Sequence, residues 1–174
     1  MTYNIHPILV HFPIALLFIY SVIKILPFKK WMPKISWTEI ERALLVFGVL
    51  GAFAALATGD TAEHLFRPDR ALVEMHSTFA SIATWLYGAL LLGEIITVFT
   101  TSYTDIYLKI KSELVKNILV KLQNLLCHKN FAKVIAFFGF IAITVTGLLG
   151  GVMVYGASAD PLANIVLKIL GINL

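Results

Sequence analysis

This 174-residue chain has few charged residues and a single cysteine. Only 14% of its residues are charged, 59% are hydrophobic, and the mean hydropathy is +0.85. A water-soluble domain of this size could not cover so much apolar surface with polar groups, whereas lipid needs no such cover. The single cysteine, Cys127, excludes an intramolecular disulfide and any CxxC metal motif. The composition therefore predicts an integral membrane protein.

Several other features are missing, and each excludes a class of protein. No Lys or Arg precedes the first apolar run, so we expect that run to span the membrane rather than to be a cleaved signal peptide. The net charge of +4 is not concentrated among aromatic residues on a polar segment, which argues against nucleic-acid binding. No serine or cysteine stands in a nucleophile motif, so a stand-alone hydrolase is not indicated.

Four long apolar runs are what the chain has in abundance. They cover roughly residues 7–26, 43–59, 77–100 and 134–155. A hydrocarbon core of ~30 Å needs about 20 helical residues, so the second run is short and would need help from its flanks or a thinner bilayer. The runs show no period-two alternation, which indicates helices rather than a barrel. We predict an all-α fold, a single four-helix transmembrane bundle formed by residues 1–174.

The basic residues predict how this bundle is oriented. Eleven of the 14 Lys and Arg residues lie in the connections between the first and second and between the third and fourth runs. The other three are Arg67, Arg70 and Lys168. Positive charge is retained in the cytoplasm, so we expect a multi-pass protein of the bacterial cytoplasmic membrane with both termini and the loop 60–76 outside.

Two further segments have the pattern of surface helices. Residues 105–126 place apolar side chains at spacings of three and four with lysines between them, which is typical of a basic amphipathic helix at the cytoplasmic headgroups. Residues 161–171 predict a short amphipathic helix on the outer side.

Histidines gather at the end of the bundle that carries few basic residues. His6 and His11 begin the first span, His64 follows the second and His76 opens the third, while His128 lies on the opposite side. His11 lies about 6 Å into its helix at 1.5 Å per residue, and His76 enters at a similar level. In an up-down bundle the first and third helices are often diagonal partners, so His11 and His76 could hold a haem iron between them.

Neighbouring residues fit the same hypothesis. Gly147, Gly150 and Gly151 on the fourth span leave room for a flat macrocycle, although small residues also let bare helices pack closely. His6 and His64 would be outer partners or ligands of another haem, and the nearby Asp60 and Glu63 could orient the imidazoles. The predicted function is a cytochrome b-like protein that binds haem b and takes part in electron transfer.

Two alternatives stay open at this point. One is a transition-metal ion, such as Zn, Cu, Ni or Fe, held by a set of six residues: His6, His11, His64, His76, Asp60 and Glu63. Against a single ion, His6 and His11 are five residues apart, which puts their side chains about 140° apart on a straight helix. The other alternative is a structural subunit without a cofactor. A redox protein partner and self-association are left open as well.

Three motifs carry a family resemblance. Residues 6–17 read His-Pro-x-x-x-His-Phe-Pro-Ile-Ala-Leu-Leu, residues 58–63 read Thr-Gly-Asp-x-Ala-Glu, and residues 147–156 read Gly-x-x-Gly-Gly-x-x-Val-Tyr-Gly. In this order they resemble an uncharacterised bacterial family of four-helix membrane proteins, a domain of unknown function. The resemblance implies the fold and the topology but no settled activity. Some relatives resemble membrane anchors for Rieske-type redox domains, which implies electron transfer.

Overall fold

The chain folds into long helices joined by short ones. The computed structural model describes residues 5–66 and 69–172, and within them no residue is in a strand. In chain order the helices are α1 (His6–Ile25), α2 (Phe28–Trp31), α3 (Trp37–Phe66), α4 (Arg70–Ser102), α5 (Thr104–Leu108), α6 (Glu113–Leu126), α7 (Lys129–Tyr155) and α8 (Ala163–Ile169). A 3₁₀ turn at Ala157–Ala159 precedes the last of these.

Four of the described helices, α1, α3, α4 and α7, are long and apolar enough to cross a membrane, which confirms the prediction of four such helices. Three of them, α3, α4 and α7, extend beyond the apolar runs, most of all α3, the second span. That span was expected to be short, but α3 has 30 residues and is about 45 Å long at 1.5 Å per residue. It needs no thinning of the bilayer, because polar residues at both ends of the apolar run continue the helix.

The long helices form a ring of four. α1 packs against α3 and α7, and α4 packs against the same two helices. The first and third spans are therefore diagonal partners, as expected, and so are the second and fourth. Side chains from α1 and α4 meet across the bundle axis, so residues far apart in sequence can share one site.

Two tyrosines fill the middle of the bundle. Tyr20 and Tyr87 are almost fully buried, and their rings meet edge to face with centroids 6.0 Å apart. The hydroxyl of Tyr87 is hydrogen-bonded to that of the buried Ser21 at 2.7 Å, which joins α4 to α1. Gly139 of α7 lets the Tyr87 ring approach its backbone, because a Cβ there would lie 2.8 Å from Cζ of the ring.

Ion pairs hold one end of the bundle, which we call the lysine-rich end: the carboxyl ends of α1 and α4 and the amino ends of α3 and α7. The buried carboxylate of Glu41 contacts Lys24 at 3.0 Å and Lys29 at 3.1 Å. Arg42 contacts Glu94 of α4 at 3.5 Å. These contacts tie the carboxyl end of α1 and the following turn to α3, and α3 to α4.

The opposite end, which we call the histidine end, is closed by the carboxyl-terminal segment. Gly156 stops α7 with φ of +81°, a backbone conformation that favours glycine. The chain then turns back, and α8 packs onto α7 and the first turn of α4. This contact forms a second apolar cluster of Leu72, Leu149, Val152, Ala163, Leu167 and Ile172.

The predicted surface helix 105–126 is two helices rather than one. α5 ends at Leu108, and α6 begins after Ser112, whose hydroxyl accepts a hydrogen bond from the Val115 amide at 3.4 Å. This N-cap starts a new helix. α6 packs on α4, where Gln123 accepts a hydrogen bond from Thr100 at 3.3 Å. The predicted helix 161–171 is shorter, since α8 covers Ala163–Ile169.

Candidate functional site

His6 is the first residue of α1 and reaches across to α3. Its Nδ1 lies 2.9 Å from the hydroxyl oxygen of Thr58, and the ring also interacts with the backbone of Ala55. The Thr58 hydroxyl donates its own proton to the carbonyls of Ala54 and Ala55, at 3.3 and 3.0 Å. When the Thr58 hydroxyl donates to these carbonyls, its oxygen accepts from His6, and this arrangement puts the proton of the neutral ring on Nδ1.

His76 is anchored in the same way on the other side of the bundle. It lies about 9 Å into α4 at 1.5 Å per residue, and its Nδ1 is 3.0 Å from the backbone carbonyl oxygen of Thr146 on α7. A carbonyl can only accept, so Nδ1–H of His76 is the donor. The neutral ring then has its lone pair on Nε2.

Gly150 is what admits the His76 ring to the backbone of α7. A Cβ at position 150 would lie 3.3 Å from Cε1 of His76, which is closer than most side chains pack, and 3.6 Å from its Nδ1. Gly59 is less tightly packed against His6, since a Cβ at position 59 would lie 3.9 Å from Cε1 of that ring. Of the other predicted glycines, Gly147 faces Ile14, and a Cβ on Gly151 would meet no atom within 4 Å.

The two anchored imidazoles come from diagonal helices, and both lie at the histidine end. Both rings are half-buried. Nδ1 of His76 donates to a carbonyl, so Nε2 of its neutral ring carries a lone pair that could ligate a metal, and the contact of His6 with Thr58 is compatible with the same tautomer. We call His6, His76, Thr58, Thr146 and Gly150 the histidine pair site.

His11 is not part of this arrangement. It is exposed, and its Nδ1 faces the carbonyl of Pro7 one turn back on its own helix. α1 is already helical at His6, so the spacing of five residues turns His11 about 140° away from His6. The predicted ligand pair of His11 and His76 therefore gains no support from these contacts, whereas His6 takes the position expected of His11.

His64 and its acidic neighbours are also directed elsewhere. His64 is exposed, and its Nδ1 lies 2.7 Å from the carbonyl oxygen of Asp60 in its own helix. Asp60 and Glu63 are exposed too. Among residues 5–66 and 69–172, no three His, Cys, Asp or Glu side chains are grouped so as to hold a metal ion. The six residues predicted to bind a metal ion are thus not brought together here.

Arg67, one of the three basic residues predicted to lie on the outer side, lies outside the described residues.

The two threonines were not predicted from the sequence as anchors of the histidines. Thr58 opens the Thr-Gly-Asp motif, and Thr146 stands one turn before Gly150, so both lie beside residues that were considered. The contribution of Thr146 is a backbone carbonyl, which no side-chain pattern can reveal. Comparisons with protein families, with characterised proteins and with solved structures find no match to this chain. The proposed function therefore rests on the geometry of the site.

Proposed function

We propose that this protein binds haem b at the histidine end, with His6 and His76 as the axial ligands, and takes part in electron transfer. The observation that supports this most is the pair of Nδ1 anchors. The carbonyl of Thr146 holds His76 in the tautomer whose Nε2 carries a lone pair, and the hydroxyl of Thr58 can accept from His6 in the same way. Hydrogen bonds of this kind orient histidine ligands and raise their basicity.

The number of ligands favours haem over a bare metal ion. The haem iron of a b-type cytochrome takes two protein ligands, and the site offers two imidazoles from diagonal helices. A structural zinc site needs four protein ligands and a catalytic one usually three. When bound, haem would supply a centre that gains or loses one electron. His6 and His76 would hold it, and Thr58 and Thr146 would orient the two imidazoles.

The orientation in the membrane follows from the charges. With eleven of its 14 basic residues in the two connections at the lysine-rich end, that end is proposed to face the cytoplasm. The termini and the histidine pair site then lie on the outer side of a bacterial cytoplasmic membrane. A redox protein partner would exchange electrons with the haem from that side.

An absorption spectrum of the purified protein tests the proposal. Protein expressed with haem available is expected to show a Soret band, which His6→Ala and His76→Ala each abolish or shift strongly. His11→Ala separates the two ligand pairs and is expected to leave the band unchanged. His128→Ala, at the lysine-rich end, is the matched control.

Four results would contradict the proposal. A Soret band that survives both His6→Ala and His76→Ala would mean that haem is held elsewhere. Loss of the band in His11→Ala with retention in His6→Ala would restore the pair of His11 and His76. Protein without haem but with a stoichiometric transition metal would favour the metal alternative, and protein with neither would favour a structural subunit.

A further inference from the structure

α6 has an apolar face that the bundle does not cover. Leu114, Ile118 and Leu125 are exposed by 71%, 47% and 51%. At 100° per residue they lie within about 40° of one another, and about 80° or more from Leu126 and Gln123, which face α4. We call these three residues the α6 stripe. An exposed apolar stripe on a helix that already packs on its neighbour indicates a second apolar partner.

The start of α6 and its flanks are basic and exposed. Lys116 pairs with Glu113 at 3.1 Å. Four other lysines are exposed, and within the described part of the chain none of them is in an ion pair: Lys109, Lys111, Lys121 and Lys129. Lys121 lies about 20° from Leu114 around the helix, at 100° per residue, so positive charge borders the apolar stripe.

The depth of α6 relative to the spans indicates the partner. Gly93 meets the backbone and side chain of Leu126, since a Cβ at position 93 would lie 2.9 Å from Cβ of Leu126. Gly93 is nine residues before the end of α4, or about 14 Å at 1.5 Å per residue. The last turn of α6, which includes Leu125, therefore lies beside α4 at the level of Glu94, within the apolar run 77–100.

We infer that α6 is a lipid-binding element of this protein. The α6 stripe lies among the upper acyl chains of the leaflet at the lysine-rich end, and the exposed lysines contact the phosphates of anionic phospholipids. Apolar burial and charge attraction act together at such a surface, each lysine near it contributing to binding. This inference does not depend on haem binding.

Site-directed fluorescence in nanodiscs tests it on the full chain. In a Cys127→Ser background, a cysteine is introduced by Ile118→Cys and labelled with an environment-sensitive dye. The matched control is Asn117→Cys, because Asn117 is the exposed polar neighbour about 100° around the same helix. In nanodiscs containing anionic lipid, the dye at position 118 is expected to emit at shorter wavelength and to be quenched by brominated acyl chains. The dye at 117 is expected to be quenched by aqueous iodide.

Further experiments distinguish anionic lipid from the other possible partners of the α6 stripe. Lys111→Gln with Lys121→Gln is expected to move the shift at position 118 to a higher mole fraction of anionic lipid, and high salt should do the same. Equal quenching at 117 and 118 would overturn the inference. A shift that does not depend on anionic lipid would overturn the role of the lysines. A shift seen only in nanodiscs that carry two copies would assign the stripe to self-association instead.

Discussion

At the scale of single residues, the candidate site depends on two hydrogen bonds and one missing side chain. His76 reaches a main-chain carbonyl beside Gly150, and His6 reaches the hydroxyl of Thr58 on α3. The carbonyl fixes the tautomer of His76, and both rings are held in position by a hydrogen bond to a neighbouring helix. A free surface histidine would have to lose rotational freedom on binding a ligand, whereas these two are already ordered.

Thr58→Val tests the anchor of His6. It removes the acceptor of the Nδ1–H bond and keeps the size of the side chain, so haem affinity is expected to fall by roughly 10–100-fold, as is usual for partners that orient a ligand. Haem titration of the apoprotein measures this. Thr144→Val is the control, since the Thr144 hydroxyl bonds only to Phe140 of its own helix and is exposed. If the two variants bind haem with equal affinity, Thr58 does not contribute to the site.

Glu41→Gln tests the buried carboxylate at the lysine-rich end. The change leaves the ammonium group of Lys24, whose side chain is mostly buried, without its counter-charge, so the free energy of unfolding should fall by about 1–3 kcal/mol. Thermal unfolding in detergent measures it. Glu113→Gln removes an ion pair of similar length from an exposed site and should cost less than about 1 kcal/mol. If both variants lose the same free energy of unfolding, the ion pairs of Glu41 add no more stability than the exposed pair of Glu113.

At the scale of elements, helices α1, α4 and α7 are fitted to each other around one tyrosine. Tyr87 is fully buried, bonded to Ser21 of α1 and pressed against Gly139 of α7. Lipid tails are as apolar as the helix surfaces, so association of membrane helices relies on close packing and on polar contacts. Gly139 allows the close packing, and the hydrogen bond between the hydroxyls of Tyr87 and Ser21 is the polar contact.

Gly139→Ala tests this contact. The added Cβ would lie 2.8–3.1 Å from three atoms of a ring that cannot move aside, so the protein should lose about 1–3 kcal/mol of stability. Gly88→Ala is the matched control, because a Cβ there meets nothing within 4 Å and alanine favours the helix. Melting temperatures of the two variants in the same detergent give the comparison. A lower value for Gly88→Ala would contradict the packing argument.

At the scale of the whole molecule, the two ends of the bundle differ in chemistry. The lysine-rich end is held by ion pairs of Glu41 and Arg42, and the histidine end is closed by the apolar contact of α8 with α7 and α4. A membrane protein with such unlike ends is expected to insert in one orientation only.

Labelling of single cysteines tests the orientation. In a Cys127→Ser background, a cysteine introduced by Lys111→Cys should react with a membrane-impermeant maleimide in inverted vesicles and not in intact cells. One introduced by Ser158→Cys, exposed at the histidine end, should show the reverse. Labelling of both from the same side would contradict the topology, and labelling of each from both sides would indicate dual insertion.

Much of the fold could be predicted because lipid imposes simple rules on a sequence. An apolar run near 20 residues must form a helix that satisfies its own backbone, so the four spans were recognised, although polar residues lengthen α3 and α4 beyond them. The break before α6 was missed, because the apolar spacing continues across the residues that precede the Ser112 cap. Periodicity reports which side of a helix is apolar and not where one helix ends.

The sequence by itself determined the membrane class, the four helices and the grouping of histidines at one end, because these depend on composition and on spacing along the chain. Only the tertiary structure decided which histidines face the inside of the bundle. His6 and His11 share a motif, but five residues of helix turn them to different sides, and only His6 faces the bundle. The partner of His76 is a carbonyl exposed by Gly150, and its position exists only once α4 has packed against α7.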